Sequence, residues 1–401
     1  MRSAFANLLA AEVVSNFGAM LSRVAIPWLA TLVLDVTPFQ MAFLLVADIA
    51  AGAAGSLFLG VAVDRRDKRA VMLAMDIVRA LVIGSLAALA ALERLSFAML
   101  VAAAAVSAIA TVTFELARSA WIAQGIAPAD LAARNAQMSM GASLAETFAF
   151  ALGGWLYQAL GAVFALAADA VTYLLSAAFV RGVPKSGTHA PAAPGNNLRA
   201  MWADVRVGSR AIAATPVLRT LAGVEMLVAL GMSFAGTSYM IYVARDLGFE
   251  TGILGMIFAT GGIGAVAGAA LAPRLGRRWG WRGAMLFGLA ALTLGAFCIP
   301  LAQAATVFGA ILLVSHQVIG DGGYAVYDVH DRTLRQTAVG PDLLARVDAG
   351  IRTLGHLARL AGALGGGVLA SFLGTRAALT LAALFFGAAL VVVLLSTRPT
   401  R

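Results

Sequence analysis

Runs of about 20 apolar residues, the length that crosses a bilayer, recur along the whole chain and are broken by short polar stretches. A helix rises about 1.5 Å per residue, so such a run covers the roughly 30 Å hydrocarbon layer. Lipid offers no partner to a free backbone N–H or C=O, so each run is expected to cross as a helix. The pattern places twelve spans, near residues 5–34, 38–62, 70–91, 96–118, 135–158, 162–181, 216–243, 250–273, 282–302, 305–327, 343–371 and 376–396. The sharpest interruption is GVAVDRRDKRAVM, Gly60 to Met72, where six consecutive charged residues, Asp64 to Arg69, stand between long apolar segments.

Composition agrees with lipid as the solvent. Of 401 residues, 61% are hydrophobic and 12% charged, against about 45–50% and about 25% in soluble proteins. The first apolar stretch, from about Ala4 to Leu34, is longer than the roughly 7–15 residues of a leader's apolar region. It also carries Glu12 and Arg23, so a cleaved leader is not expected. The single cysteine, Cys298, lies in an apolar run and allows no intrachain disulfide.

Charge fixes an orientation. With twelve alternating spans, 22 of the 29 lysines and arginines fall on the side that holds both termini. Three, Arg94, Arg245 and Arg376, fall on the other side, and Arg23, Arg79, Arg352 and Arg359 lie within spans. Positive loops stay cytoplasmic, so both termini are expected inside, in a bacterial cytoplasmic membrane. The net charge of +9 then needs no nucleic-acid partner. The longest loop, also cytoplasmic, starts rich in Pro, Gly and Ala and turns amphipathic from Leu198. It reads as a flexible linker followed by an interfacial helix. The expected domains are therefore an N-terminal six-helix bundle (1–181), a linker with an amphipathic helix (182–215) and a C-terminal six-helix bundle (216–401).

The halves repeat. Gln124 and Gln336 stand 212 positions apart, as do Asp130 and Asp342, Leu131 and Leu343, Arg134 and Arg346, and the pairs Gly153-Gly154 and Gly365-Gly366. Arg65-Arg66 and Arg277-Arg278 keep the same offset, and near the start it slips by one, so that Glu12 matches Glu225. Two parallel six-helix halves about an axis along the membrane normal are a known transporter architecture.

On these residues the chain resembles the major facilitator superfamily. GVAVDRRDKR is similar to that family's signature between the second and third helices, through Gly60, Asp64, Arg65, Lys68 and Arg69. FELARSAWIAQGIAPADLAARNA and TLRQTAVGPDLLARVDA resemble its exporter branch of macrolide-efflux proteins and the enterobactin exporter. The resemblance implies an all-α membrane protein of twelve helices in two pseudo-symmetric bundles. It implies transport by alternating access, with the Gly60–Arg69 motif latching the cytoplasmic gate and Asp64 facing the positive N-terminal end of a nearby helix. The second copy, APRLGRRWGWR, carries Gly276 where Asp64 would fall. Where the branch has Gly-Pro on its fifth helix, Ala149-Phe150 stand here, and Arg118 lies at the end of the fourth span.

Ionisable residues inside spans cost roughly 2.5–3.5 kcal/mol each on insertion scales, so each is expected to face a partner or a cavity. Matching depth suggests the pairs Arg23–Asp48, Glu12–Arg79 and Asp321–Arg352. Glu225, Glu12, Glu146 and Asp169 are the candidates for proton coupling, since Glu146, Asp169 and Glu225 have no basic residue at matching depth. Arg352, His356 and Arg359 share one face of span eleven, and Asp321, Tyr324 and Asp328 one face of span ten. Tyr324, His356 and Arg359 are cavity candidates, and Trp28, Phe114, Trp121, Phe234, Tyr239 and Tyr327 could add aromatic wall.

Other chemistry is excluded. GIGAVA, Gly262 to Ala267, lies inside a span and lacks the strand and distant acid of a dinucleotide site. Gly264 and Gly268 read instead as a packing face, as do Gly52, Ser56 and Gly60, and Gly362 and Gly366. The four histidines have no metal-ligand spacing. No cofactor, metal or enzymatic site is expected. The expected partners are an amphipathic small-molecule substrate, protons and the lipid bilayer, for a monomer. Proton-coupled export leads; uptake or lipid translocation on the same fold, and then a membrane scaffold or receptor, are the alternatives.

Overall fold

A computed structural model of the chain describes residues 2–64, 66–126, 128–185, 198–339 and 341–396. Among them there is no strand, and every expected span is helical. The helices are α1 (Arg2–Trp28), α2 (Pro38–Asp64), α3 (Lys68–Ala91), α4 (Phe97–Gly125), α5 (Pro128–Arg181), α6 (Leu198–Ala214), α7 (Pro216–Met240), α8 (Thr251–Leu301), α9 (Val307–Ser315), α10 (Gly322–Ala338), α11 (Pro341–Leu373) and α12 (Thr375–Leu395). Three π-helical segments extend them: Leu29–Val33, Ile241–Asp246 and His316–Asp321. Twelve crossings result. α5 and α8 are each two spans joined at a glycine with positive φ, Gly161 (78°) and Gly280 (68°). α9, the third π segment and α10 form the tenth span.

Local sequence explains the boundaries. Proline opens α2, α5, α7 and α11, where its missing N–H would be unbonded anyway. Thr37 and Gln40 form a reciprocal cap before α2: Gln40 N–H donates to Thr37 Oγ1 (3.2 Å), and Thr37 N–H donates to Gln40 Oε1 (2.8 Å). Asp67, inside the charge knot, caps α3 by accepting from the Arg69 N–H (3.2 Å).

The sequence repeat reappears in the backbone. After α1, Leu34 N–H donates to Leu29 O (3.0 Å) and Val36 N–H to Ala30 O (3.0 Å). After α7, Leu247 N–H donates to Tyr242 O (2.8 Å) and Phe249 N–H to Val243 O (3.1 Å). Each of these positions matches its counterpart 213 residues on. Two pairs of positive-φ residues keep the same offset, Asp35 with Gly248 and Gly161 with Gly374, while Glu93 and Gly280 have no such counterpart. Both halves therefore use one wide helical turn and one left-handed residue to leave the first span.

The chain divides into two compact units. Unit one comprises residues 1–36, 44–194 and 250–256; unit two comprises 37–43, 195–249 and 257–401. In unit one, α1 packs along α5, and α3 along α4 and α5, around a core of Phe5, Leu8, Met72, Phe114 and Trp121. Gly52 and Gly55 of α2 sit on Val112 and Ile109 of α4. Gln158 donates to Glu250 (3.0 Å) and accepts from the Gly252 N–H (2.8 Å).

In unit two, α7 packs on α11 and α12, around Leu218, Leu221, Met285, Leu289, Tyr327 and Phe386. The tenth span is gripped through glycines. A Cβ at Gly264 would stand 2.5 Å from Val318 O, one at Gly288 2.7 Å from Gly323 O, and one at Gly268 would collide with Gly322 O. The expected packing face at Gly264 and Gly268 is therefore present, as is that of Gly362 and Gly366 against Leu230 and Phe234 of α7. α6 lies on α11 and α7, with Gly208 against the Arg346 backbone and Ile212 in the core. Large apolar side chains such as Phe372 remain 83% exposed, as a lipid-facing surface requires.

Candidate functional site

The first span of each half carries a glutamate, and in both units it bridges to an arginine of the fourth span of that half. In unit one, Glu12 of α1 meets Arg118 of α4, and Asn16 donates to Glu12 one turn along (3.1 Å). In unit two, Glu225 of α7 meets Arg335 of α10 at 3.2 Å. The second bridge is not a positional copy of the first. At the repeat offset, Arg118 corresponds to His330, and Arg335 lies more than one turn further on.

Glu225 has the richer surroundings. Its other oxygen lies 4.0 Å from Arg359 of α11, and the Tyr327 hydroxyl stands at 3.5 Å. Gly355 of α11 makes room for it: a Cβ there would stand 2.8 Å from Glu225 Oε1. Arg335 has a second acid, Asp331, at 2.5 Å one turn back on its own helix. The Glu225, Arg335 and Asp331 side chains are 20%, 9% and 5% exposed, and that of Arg359 is 44% exposed.

These differences set what each bridge can do. Removing one partner of a buried ion pair costs about 3–5 kcal/mol, because the other charge is stranded. Neutralising Glu12 would leave Arg118 with no carboxylate partner among the described residues. Neutralising Glu225 would not strand its arginines. Arg335 keeps Asp331, and Arg359 has access to solvent. The tie from α7 to α10 and α11 is therefore released at lower cost.

Several expectations from depth are corrected. Arg79 pairs not with Glu12 but with Asp76, one turn earlier on α3, at 2.5 Å; i, i+3 side chains share a helix face and are neighbours however the helix packs. Glu225 is not unpaired, since Arg335 and Arg359 both face it. Arg352 is exposed on α11, and the Asp321 carboxylate instead lies against Gly261 of α8. Arg359, two turns beyond Arg352, is the arginine that meets an acid. Among the described residues no cation bridges Asp169, whose carboxylate is met by the hydroxyls of Ser22 and Thr172. The side chains of Arg23 and Glu146 lie outside the described residues, and with Arg23 the pair it was expected to form with Asp48.

Sequence reasoning gave no partner to Arg118, which it placed at the end of the fourth span, and no role to Asp331 and Arg335, which lie past the apolar window of the tenth, because both helices continue further. α4 continues to Gly125 and α10 to Ala338. The i, i+4 spacing of Asp331 and Arg335 was the available signal. Of the aromatic candidates, Trp28, Phe114, Trp121, Phe234 and Tyr327 are buried within their units rather than lining a wall. Tyr324 is half-buried beside Tyr327 at 6.0 Å between ring centroids, and His356 is exposed on α11. Tyr239 packs beside His316, with ring centroids 5.7 Å apart and planes tilted by 55°.

Of the charge knot, Arg65 and the side-chain positions of Gly60 and Asp64 lie outside the described residues. Lys68 is fully buried and donates to Arg66 O (3.0 Å), and Arg69 is half-buried. A cavity of about 210 Å³ beside them, lined by Leu59, Val63, Ala74, Met75 and Thr113 among others, is mainly apolar and holds none of the intramembrane acids. Among the described residues no cluster of His, Cys, Asp and Glu could hold a metal.

Comparison with known proteins places this architecture. The Major Facilitator Superfamily profile matches residues 8–362. An uncharacterized MFS-type transporter of Bacillus subtilis (strain 168), YfiS, is 25% identical over 381 residues, covering 92% of this chain and 88% of that protein. Solved structures share the fold at low identity. The nucleoside transporter NupG has a TM-score of 0.74 at 13% identity, over 98% of this chain and 97% of its own. A bacterial metal transporter has 0.70 at 16%, over 98% of both chains. A bacterial homolog of the human lysosomal transporter Spinster has 0.72 at 14%, over 98% and 96%. With twelve helices in two repeated halves, a paired glutamate in each first span and a profile match over most of its length, the chain belongs to the Major Facilitator Superfamily and is a multi-pass membrane transporter, not an enzyme.

Proposed function

We propose that this transporter exports an amphipathic small molecule in exchange for protons, from a bacterial cytoplasmic membrane with both termini inside. The observation that carries the reading is Glu225, a carboxylate shared by Arg335, Arg359 and Tyr327 whose arginines keep other stabilisation when it is neutralised. A proton on Glu225 would untie α7 from α10 and α11; its loss would tie them again. Coupled transport needs such an exchange between two states of one acid. Export follows the resemblance of the Phe114–Ala136 and Thr333–Ala349 segments to the efflux branch. Motif residues Asp64, Arg65 and Arg69 would latch the inner gate.

The test is proton movement in energised inside-out vesicles, challenged with lipophilic cations, macrolides and siderophores. Proton release on adding one compound, absent in Glu225→Gln, is the expected result. Release that persists unchanged in Glu225→Gln would overturn the assignment to Glu225. No response to any compound, with folded protein in the membrane, would overturn export of these classes.

A further inference from the structure

Unit one holds a second cluster of ionisable groups apart from its glutamate–arginine bridge. Asp76 and Asp169 are both 0% exposed and Arg79 is 3% exposed. Arg79 Nη2 donates to Asp76 Oδ1 (2.5 Å), and Ser176 donates to Asp76 Oδ2 (2.8 Å). The guanidinium lies against two rings, Tyr173 at 4.3 Å and Phe114 at 4.7 Å from the centroids. Among the described residues the Asp169 carboxylate is met only by hydroxyls: Ser22 of α1 donates to one oxygen, and the Thr172 hydroxyl, which donates to the Asp169 backbone carbonyl (2.7 Å), stands 3.3 Å from the other. Among the described residues, no lysine, arginine or histidine nitrogen reaches its carboxylate within 4 Å.

We propose that this cluster holds one proton, on Asp169, and is a proton-binding site separate from both glutamate–arginine bridges. The charge count carries the proposal. Asp76 and Arg79 neutralise each other, so an ionised Asp169 would leave one net negative charge sealed in a low-dielectric interior. Among the described residues, the groups facing Asp169 are Ser22 from α1, Arg79 from α3, and Thr172 and Tyr173 from its own helix; Arg79 is the one cation among these, and Asp76 already occupies it. A hydroxyl both donates and accepts, so Ser22 can bond the neutral acid as well as the anion. The site is also tied to helix position. Asp169 fills the notch left by Gly18, one turn from Ser22, and a Cβ at Gly18 would collide with Asp169 Oδ1 and Thr172 Oγ1. Movement of α1 along α5 therefore opens or closes the place where the proton sits.

The proposal concerns the resting protein and does not depend on substrate or direction. Infrared spectroscopy of the full-length protein in lipid reads it through the carbonyl stretch of a protonated carboxylic acid. At neutral pH the wild type should show this band; Asp169→Asn should lose it, and Glu225→Gln should keep it. Identical wild-type and Asp169→Asn spectra in this region would overturn the proposal. If Asp169→Asn does not fold, Ser22→Ala serves instead: a shifted band supports the site, and an unmoved one overturns it. Failure of substrate-driven proton release with the band intact would count against exchange and leave this site standing.

Discussion

Glu12 and Glu225 occupy matching positions, yet their neighbours make them unequal. Arg118 depends on Glu12, whereas Arg335 and Arg359 do not depend on Glu225 alone. Glu12→Gln should therefore lower stability more than Glu225→Gln, by about 3–5 kcal/mol against a smaller loss. Thermal unfolding of the purified protein checks the order; equal losses would contradict the partner count. Adding Arg118→Met to Glu12→Gln removes the stranded cation, and the pair should show a coupling energy of about 0.5–3 kcal/mol in a double-mutant cycle. Gly355→Val would place side-chain atoms where Glu225 Oε1 now lies. It should impair proton-linked transport while leaving membrane insertion intact, measured by vesicle assay beside expression level.

Among the elements, the tenth span is the one most dependent on close backbone approach. Glycines of α8 and of its continuation after Gly280 meet it at 2.7 Å or less from a would-be Cβ. Without a hydrophobic drive between helices in lipid, such packing supplies much of the association. Gly264→Leu or Gly268→Leu should sharply reduce folded yield, read by size-exclusion chromatography. The same substitution at the open turn residue Gly161, where a Cβ meets nothing within 4 Å, should show only backbone strain from φ 78°. Span ten was legible as an apolar run but not as the gripped, π-containing helix it is. Its glycines were visible, yet which helices approach them depends on contacts remote in sequence.

For the molecule as a whole, the repeat extends from side chains to backbone. The wide turns after α1 and α7, the left-handed residues and the glutamates share one offset. The proposed orientation puts the loop before α6 inside. A single cysteine at Ser186, in a Cys298→Ser background, should react with an impermeant reagent only after the membrane is opened. Labelling of intact cells would reverse the topology.

Class, span count and repeat could be read directly from the chain, since lipid imposes one rule on every crossing: satisfy the backbone internally and face apolar atoms outward. The same rule made each buried charge conspicuous. The choice of partner was not readable. Depth along a helix leaves rotation and neighbour unspecified, so depth matches Glu12 to Arg79 and assigns no partner to Arg118, Arg335 or Asp331. The reach of Glu12 on α1 to Arg118 on α4, and the packing of α7 on α10 and α11, settled those pairs. An ion pair forms between the charges whose helices bring them within a few ångströms, and helix packing is a property of the folded chain.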